Sequence, residues 1–150
     1  MKPPILNHVA LTVPRALLRD TAERRRLLEF YERVFGWRSI DVMQIDGERI
    51  VLHLHQLTHF LYLVGGDVPL SAPRGDHLGI EVYEREALDA IVNRAQAFRA
   101  EHDPAVEIDD IEIEDYGTIR IHNAYVRYLL PLRIEVQFYE GVDAVVEEID

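Results

Sequence analysis

A chain of 150 residues is long enough for one domain with a full core, or for two half-sized units that share one, and two independent domains are not expected. Hydrophobic residues make up 48% and charged residues 29% of the chain, which excludes a long disordered tail. The formal net charge of −11 disfavours a nucleic-acid partner. Because the chain has no cysteine, any bound metal must be held by nitrogen and oxygen ligands.

The start of the chain and its hydropathy predict a cytoplasmic location. The first residues, Met-Lys-Pro-Pro-Ile-Leu, lack an apolar stretch long enough for a signal sequence. No run approaches the roughly 20 apolar residues that span a membrane. We therefore expect no membrane partner.

The first half of the chain predicts one strand, one helix and three more strands. Apolar residues alternate from Ile5 to Val13, which is typical of a strand with one packed face. Helical spacing of apolar residues follows over 24–35, and Gly36 is a good residue to end that helix. The strands that follow are predicted at 38–44, 49–56 and 59–64, and the Gly- and Pro-rich stretch 65–75 is predicted to connect two halves.

The second half repeats this pattern. A strand is predicted at 76–83, a helix at 85–99, and strands at 106–113, 119–128 and 132–139. We therefore predict an α+β fold with two βαβββ modules, at about 5–64 and 76–140, within a single domain over 1–150. The modules are expected to form a curved mixed sheet around a cavity, with the helices outside.

Strand alternation selects three candidate metal ligands. If the apolar residues of each strand pack against the helices, His8, His77 and Glu135 point to the opposite, cavity-facing side. Two imidazoles and one carboxylate form a ligand set suited to Fe(II), Mn(II), Zn(II) or Ni(II) with open positions for substrate. Spacing alone leaves open the alternative that these are ordinary hydrogen-bonded strand histidines.

The remaining histidines carry weaker signals. His53 and His55 are two residues apart on one predicted strand, and they either contribute to a site or form a pair on the cavity rim. His102 and His122 have no partner pattern and are interpreted as surface residues.

Four segments resemble a known superfamily. Ile5-Leu-Asn-His-Val-Ala-Leu-Thr-Val13 and Leu28-Glu-Phe-Tyr-Glu-Arg-Val-Phe-Gly-Trp37 look like its opening strand and helix. Asp76-His-Leu-Gly-Ile-Glu-Val82 and Leu132-Arg-Ile-Glu-Val-Gln-Phe-Tyr139 are similar to later strands. The chain thus resembles the vicinal oxygen chelate superfamily of glyoxalases, bleomycin resistance proteins and extradiol dioxygenases over nearly its whole length.

The resemblance implies roles for particular residues. It carries metal ligation onto His8, His77 and Glu135, the residues that alternation also selects. A fourth ligand in that superfamily lies on the last strand of the first module, where a repeat alignment on the following glycines suggests His59 and an offset of one suggests Phe60. Tyr125, ten residues before Glu135, matches a substrate-binding tyrosine of the dioxygenases.

Two functions follow from this resemblance. The first is a metal-dependent isomerase, lyase or dioxygenase that chelates a small substrate through two neighbouring oxygens, with Glu135 or Glu81 as a base and Tyr125 orienting the substrate. The metal would be a divalent Fe, Mn, Ni or Zn ion. The alternative is a metal-free protein of the bleomycin-resistance type that binds a cationic drug, which the acidic composition favours. Because such modules leave open sheet edges, a homodimer is expected in either case.

Overall fold

The structure, a computed structural model, describes residues 4–142 and divides into two compact units. Unit 1 comprises residues 1–72 and unit 2 residues 73–150, and only their parts within 4–142 are described. None of the described helices is long and apolar enough to cross a membrane.

The described part of unit 1 contains four strands and two α-helices. The strands are β1 (His8–Pro14), β2 (Arg38–Ser39), β3 (Arg49–His53) and β4 (Phe60–Gly66). The helices α1 (Arg15–Arg19) and α2 (Thr21–Phe35) lie between β1 and β2, and one turn of 3-10 helix (Asp41–Met43) follows β2. The sheet has the order β1-β4-β3-β2, in which β1 and β4 run parallel and the other neighbours antiparallel.

As far as residue 142, unit 2 contains four strands and one helix. The strands are β5 (His77–Glu81), β6 (Glu107–Asp115), β7 (Arg120–Arg127) and β8 (Arg133–Glu140), and the helix α3 (Arg85–Glu101) connects β5 to β6. The sheet order is β5-β8-β7-β6, with β5 and β8 parallel and the other pairs antiparallel. Both units thus have the same strand order, and the predicted pair of βαβββ modules is confirmed.

Apolar residues on one face of each sheet form the core of its unit. In β1 the side chains of Leu11 and Val13 are buried, whereas His8 at the start of the strand is exposed. In β8 the side chains of Ile134 and Val136 are fully buried. The α3 residues that are buried are Leu88, Ile91, Val92, Ala95 and Phe98. The predicted strand parity is therefore correct, and it separates an apolar face from a polar one.

The boundaries of the first helical region differ from the prediction. The sequence suggested a helix from residue 24, but α2 begins at Thr21, because the Asp20 carboxylate accepts hydrogen bonds from the backbone N–H groups of Ala22 and Glu23, both at 2.9 Å. It ends, as predicted, at Gly36, whose φ of 74° is readily adopted by glycine. The short α1 was not predicted, since five residues are too few for a helical period to stand out.

The predicted strand at 38–44 is largely wrong. Only Arg38–Ser39 pairs with β3, and the chain then turns into the 3-10 helix. The Asp41 carboxylate accepts hydrogen bonds from the Ser39 hydroxyl at 3.0 Å and the Gln44 side-chain amide at 2.8 Å. Such local side-chain bonds compete with strand pairing, and Val42, which the pattern assigned to a strand, is 94% exposed.

Candidate functional site

The polar face of the unit 2 sheet brings three predicted site residues together. The parallel pairing of β5 with β8 places Gly79 opposite Glu135, so His77 lies one step along the same face. The antiparallel pairing of β7 with β8 places Tyr125 directly opposite Glu135. The register of the strands alone therefore places an imidazole, a carboxylate and a phenol next to one another on this face.

His77 and Glu135 are in direct contact. The Nε2 atom of His77 lies 3.0 Å from Oε2 of Glu135, whose side chain is only 8% exposed. The other ring nitrogen, Nδ1, lies 2.8 Å from the carbonyl oxygen of Gly75. A carbonyl oxygen only accepts hydrogen bonds, so Nδ1 carries a proton in this contact.

This contact limits which groups can lie between Nε2 of His77 and Oε2 of Glu135. In a neutral imidazole with its proton on Nδ1, Nε2 is an acceptor, and an ionised carboxylate is also an acceptor. Two acceptors 3.0 Å apart need a positive group between or beside them, either a proton or a metal ion. Ligating histidines commonly donate their other N–H to a carbonyl, as His77 does to Gly75. The donor set therefore fits a divalent ion.

Tyr125 completes the environment of the carboxylate. Its hydroxyl donates a hydrogen bond to Oε1 of Glu135 at 2.5 Å, and its ring meets the His77 ring edge to face with centroids 5.5 Å apart. Burial is the largest cause that raises the pKa of Tyr125 to about 12. The hydrogen bond to Glu135 and the charge of that carboxylate add to the increase. The phenol therefore remains protonated and able to donate at neutral pH.

Arg133 supports the other side of Tyr125. Its guanidinium carbon lies 4.1 Å from the centroid of the Tyr125 ring, within the range of a cation–π contact. One guanidinium N–H group donates to Asp109 at 2.7 Å, whereas the buried Nε has no hydrogen-bond partner in the described structure. The sequence analysis assigned Arg133 no role, since the cation–π contact depends on the register between β7 and β8.

A polar cavity of about 310 Å³ lies beside this group. Its lining residues are Gly79, Ile80, Glu81, Gln137, Tyr139 and Val142. A Cβ atom at Gly79 would lie 3.7 Å from Oε2 of Glu135, so the glycine leaves open the space over that oxygen. Burial raises the pKa of Tyr139, and the charges of Glu135, Glu81 and Glu114 add to the increase. The cavity is therefore polar and electronegative.

A row of hydrogen bonds fixes the side chains beside this cavity. Tyr139 donates to the Gln137 side-chain oxygen at 2.9 Å, and Gln137 donates to Asn123 at 3.2 Å. Asn123, only 3% exposed, donates to Glu114 at 2.9 Å. The sequence analysis did not predict this row, although strand alternation places Asn123 on the same face as Tyr125. Because each amide is held at both ends, the cavity wall is preorganised.

His8 lies in unit 1, at the first position of β1. Its Nδ1 is 2.9 Å from the side-chain oxygen of Asn7, and its ring stacks on Phe60 with centroids 5.3 Å apart. The Tyr62 ring meets it edge-on at 5.4 Å. The predicted facing of His8, opposite to the buried Leu11, is confirmed within the unit, and its role as a ligand stays a prediction.

The register of unit 1 differs from the alignment that suggested His59. His8 and His77 are the first residues of equivalent strands, and Glu135 pairs with the residue two positions after His77. The residue two positions after His8 pairs with Tyr62. Tyr62 is thus the counterpart of Glu135, and neither His59 nor Phe60 is. His59 lies before β4, where its ring stacks on His55 with centroids 6.1 Å apart.

No group of three or more His, Asp or Glu side chains that could hold a metal ion is found within residues 4–142. Two of the three predicted ligands, His77 and Glu135, are in contact with one another, and both lie in unit 2.

His122 is not the surface residue predicted. It is 5% exposed because β7 places it on the same face as the buried Ala124 and Val126, a parity that the sequence already contained. Its Nδ1 contacts an N–H group of Arg85, and its Nε2 lies 3.4 Å from Glu140. His102 is exposed, as predicted, at the end of α3.

Comparison with solved structures identifies the fold. FosX, a fosfomycin resistance protein from Mesorhizobium loti, covers 97% of this chain and 99% of its own with a TM-score of 0.62 at 11% identity. A glyoxalase/bleomycin resistance protein from Albidiferax ferrireducens T118 covers 89% of this chain and 98% of its own with a TM-score of 0.61 at 15% identity. A possible glyoxalase from Bacillus cereus covers 87% and 96%, with a TM-score of 0.54 at 21% identity.

These likenesses establish the fold alone, since all the identities are low. No protein-family model matches the chain, and no curated protein matches it. The chain has the fold of the glyoxalase/bleomycin resistance proteins with which it was compared. The resemblance predicted from four sequence segments is thereby confirmed at the level of fold.

Proposed function

We propose that the protein is a metal-dependent enzyme that binds a small substrate through two neighbouring oxygen atoms. The observation that carries this proposal is the contact between His77 Nε2 and Glu135 Oε2 at 3.0 Å, with His77 Nδ1 directed to a carbonyl oxygen. That arrangement leaves two acceptor atoms facing one another on an accessible polar face. The reaction class is an isomerase, lyase or dioxygenase.

The residues that would hold the ion are His77 and Glu135, with His8 as the third ligand. His59 is a weaker candidate, because Tyr62 rather than His59 takes the strand position equivalent to Glu135. The divalent ion, Fe, Mn, Ni or Zn, would act as a Lewis acid that neutralises the charge developing on substrate oxygens.

Tyr125 would orient the substrate. Its hydroxyl is protonated at neutral pH, since burial and Glu135 raise its pKa to about 12. A substrate oxygen that replaces Glu135 as the acceptor would receive the same proton in a hydrogen bond. Arg133, held 4.1 Å from the ring, would keep the phenol in place and stabilise negative charge on the substrate side.

The cavity of about 310 Å³ would take the rest of the substrate. Glu81 lines it with an exposed carboxylate, and this group is the better placed general base. Glu135 already interacts with His77 and Tyr125, which occupies both of its oxygens. The volume suits a small molecule, and the preorganised Gln137 and Tyr139 would supply hydrogen bonds that select it.

One observation favours a second function, that of a metal-free binding protein. Both oxygens of Glu135 have partners within the chain, so the carboxylate is satisfied with a proton on His77 and without an ion. The electronegative cavity would then hold a cationic drug, as the bleomycin-resistance type does. In either case we propose a cytoplasmic homodimer that acts on a small molecule and binds neither nucleic acid nor membrane.

Elemental analysis of the purified protein separates the two functions. We expect a transition metal in the native chain and a lower metal content in Glu135→Gln, which keeps the shape of the side chain but removes its charge. His102→Gln, a change at an exposed residue, should retain the metal. Activity assays with vicinal diols, hydroxy-ketones, thioester precursors and fosfomycin as candidate substrates would then identify the reaction. Absence of metal after growth with added Fe, Mn, Ni and Zn would favour the binding protein.

A further inference from the structure

The hairpin between β3 and β4 carries three histidines besides the His77–Glu135 pair. His53 ends β3, His55 lies in the turn and His59 immediately precedes β4. The spacing of His55 and His59 leaves three residues between two imidazoles, which is common among zinc-binding histidine pairs. His53, His55 and His59 belong to unit 1, whereas His77 and Glu135 belong to unit 2.

The turn holds the two imidazoles side by side. The rings of His55 and His59 lie with centroids 6.1 Å apart and planes only 9° from parallel. Backbone hydrogen bonds fix this geometry, from Leu54 N–H to the His59 carbonyl at 2.9 Å and from His59 N–H to the Gln56 carbonyl at 2.7 Å. The folded hairpin has therefore already brought the two side chains together.

The ring nitrogens of both residues are available. Within residues 4–142, neither His55 nor His59 has a side-chain hydrogen bond or ion pair. His55 and the three residues after it are exposed, so solvent reaches the turn and the rings can rotate. Two nitrogens on one ion lie about 3.3 Å apart when each metal–nitrogen distance is about 2.0–2.1 Å. Rotation of the exposed His55 ring toward His59 can provide that separation.

We propose that His55 and His59 form a second, surface metal site that takes an imidazole-preferring ion of the Zn²⁺, Ni²⁺ and Cu²⁺ class, with water as the remaining ligands. The Irving–Williams order predicts tightest binding for Cu²⁺, and imidazole does not suit Mg²⁺ or Ca²⁺. His53 is not a ligand, because its pairing opposite Phe60 places it in the strand ladder rather than in the turn. Because binding joins two ends of a turn that exists only in the folded chain, it also stabilises the hairpin.

Calorimetric titration with Ni²⁺ tests this site on the full chain. The Glu135→Ala variant removes the proposed catalytic ligand, and it should still bind one equivalent of Ni²⁺. Adding His55→Ala or His59→Ala should abolish that equivalent, whereas adding Thr58→Ala, a change in the same turn at a residue with no ligand atom of this kind, should leave it intact.

A measurement on the native chain covers the case in which Glu135→Ala does not fold. Substoichiometric Cu²⁺, which is paramagnetic, should broaden the imidazole NMR resonances of His55 and His59 before that of His102. In the Glu135→Ala background, Ni²⁺ binding that survives loss of both His55 and His59, or that falls equally on adding His102→Ala, would overturn the proposal. In the native chain, Cu²⁺ broadening that spares the His55 and His59 resonances would overturn it as well. None of these results bears on the His77–Glu135 site, so failure of one proposal is distinguishable from failure of the other.

Discussion

His77 Nε2 lies 3.0 Å from Glu135 Oε2 on the polar face of a mixed sheet whose other face is a closed apolar core. The two residues come from parallel neighbouring strands, two positions apart in register. The pairing of the two strands does not depend on local sequence preference. The βαβββ topology therefore brings His77 and Glu135 together. The following predictions concern the groups that hold this pair and the sheet around it.

Replacing Tyr125 with Phe should lower the free energy of unfolding by about 1.5–3 kcal/mol, the usual contribution of a hydrogen bond to a charged group. The hydroxyl donates to the buried Glu135 carboxylate, which loses that partner in the variant. Urea denaturation measures the change. Tyr116→Phe is the matched control, since Tyr116 also donates to a glutamate, Glu114, but is 66% exposed. Its change should stay within about 0.5 kcal/mol. Equal losses in the two variants would contradict this account of the carboxylate.

Raising the pH should destabilise the fold through Tyr125. Its pKa is about 12 in the folded chain and about 10 when the chain is unfolded, so the folded state retains the proton more strongly. The stabilisation is therefore complete below about pH 10 and is lost as the pH rises toward about 12. Ultraviolet titration of the native chain and of Tyr125→Phe checks this, and the component that ionises near pH 12 should be smaller by one tyrosine in the variant. An unchanged component would contradict the assignment to Tyr125.

His122→Ala should destabilise the chain by about 1–3 kcal/mol, because it removes a buried imidazole and leaves a cavity where the ring packs beside Phe138. The ring contacts the Arg85 guanidinium near the start of α3 and lies 3.4 Å from Glu140 on β8. Thermal or urea unfolding measures the loss. The exposed His102→Ala should change stability by less than about 0.5 kcal/mol. A negligible effect at His122 would show that the contacts around its ring add little to the stability of unit 2.

Gly66→Ala should destabilise the end of β4. A Cβ atom there would lie 2.4 Å from the Cγ2 methyl of Thr12, and a threonine side chain is stiff about χ1. Overpacking of this kind costs about 1–3 kcal/mol. Gly75→Ala is the control, since a Cβ at that position meets nothing within 4 Å.

A double variant tests the cause of the Gly66 effect. Thr12→Ser removes the Cγ2 methyl and keeps the hydroxyl, so it should recover most of the stability lost in Gly66→Ala. Urea unfolding of the single and double variants provides the cycle. Additive losses would mean that the Thr12 methyl is not the obstacle.

Strand alternation in the sequence was sufficient to predict which faces carry His8, His77 and Glu135. The pattern holds because a strand that packs on one side must repeat every two residues. The failure at His59 has a different origin. Register between distant strands depends on long-range packing, so an alignment on glycines missed Tyr62 as the counterpart of Glu135.

Two other features lay outside what the pattern could show. The strand predicted at 38–44 ends early because the Asp41 side chain forms local hydrogen bonds, which apolar periodicity does not register. The cation–π contact of Arg133 with Tyr125 requires two strands to be placed side by side. The burial of His122 could have been predicted, because strand alternation places it on the same face as Ala124 and Val126. It was missed only because isolated histidines were interpreted as surface residues.

The central claim is that a divalent ion binds the folded chain through His77 and Glu135. Thermal melting with and without chelator tests it most directly, in a background where His55 and His59 are both alanine so that the hairpin site does not contribute. An ion present at about 100 times its dissociation constant should add about 2.7 kcal/mol to the free energy of unfolding, and chelation should therefore lower the melting temperature by several degrees. Glu135→Ala should abolish that difference, and His102→Ala should retain it. Identical melting curves with chelator and with added Fe(II), Mn(II), Ni(II) or Zn(II) would contradict the claim and favour the metal-free binding protein.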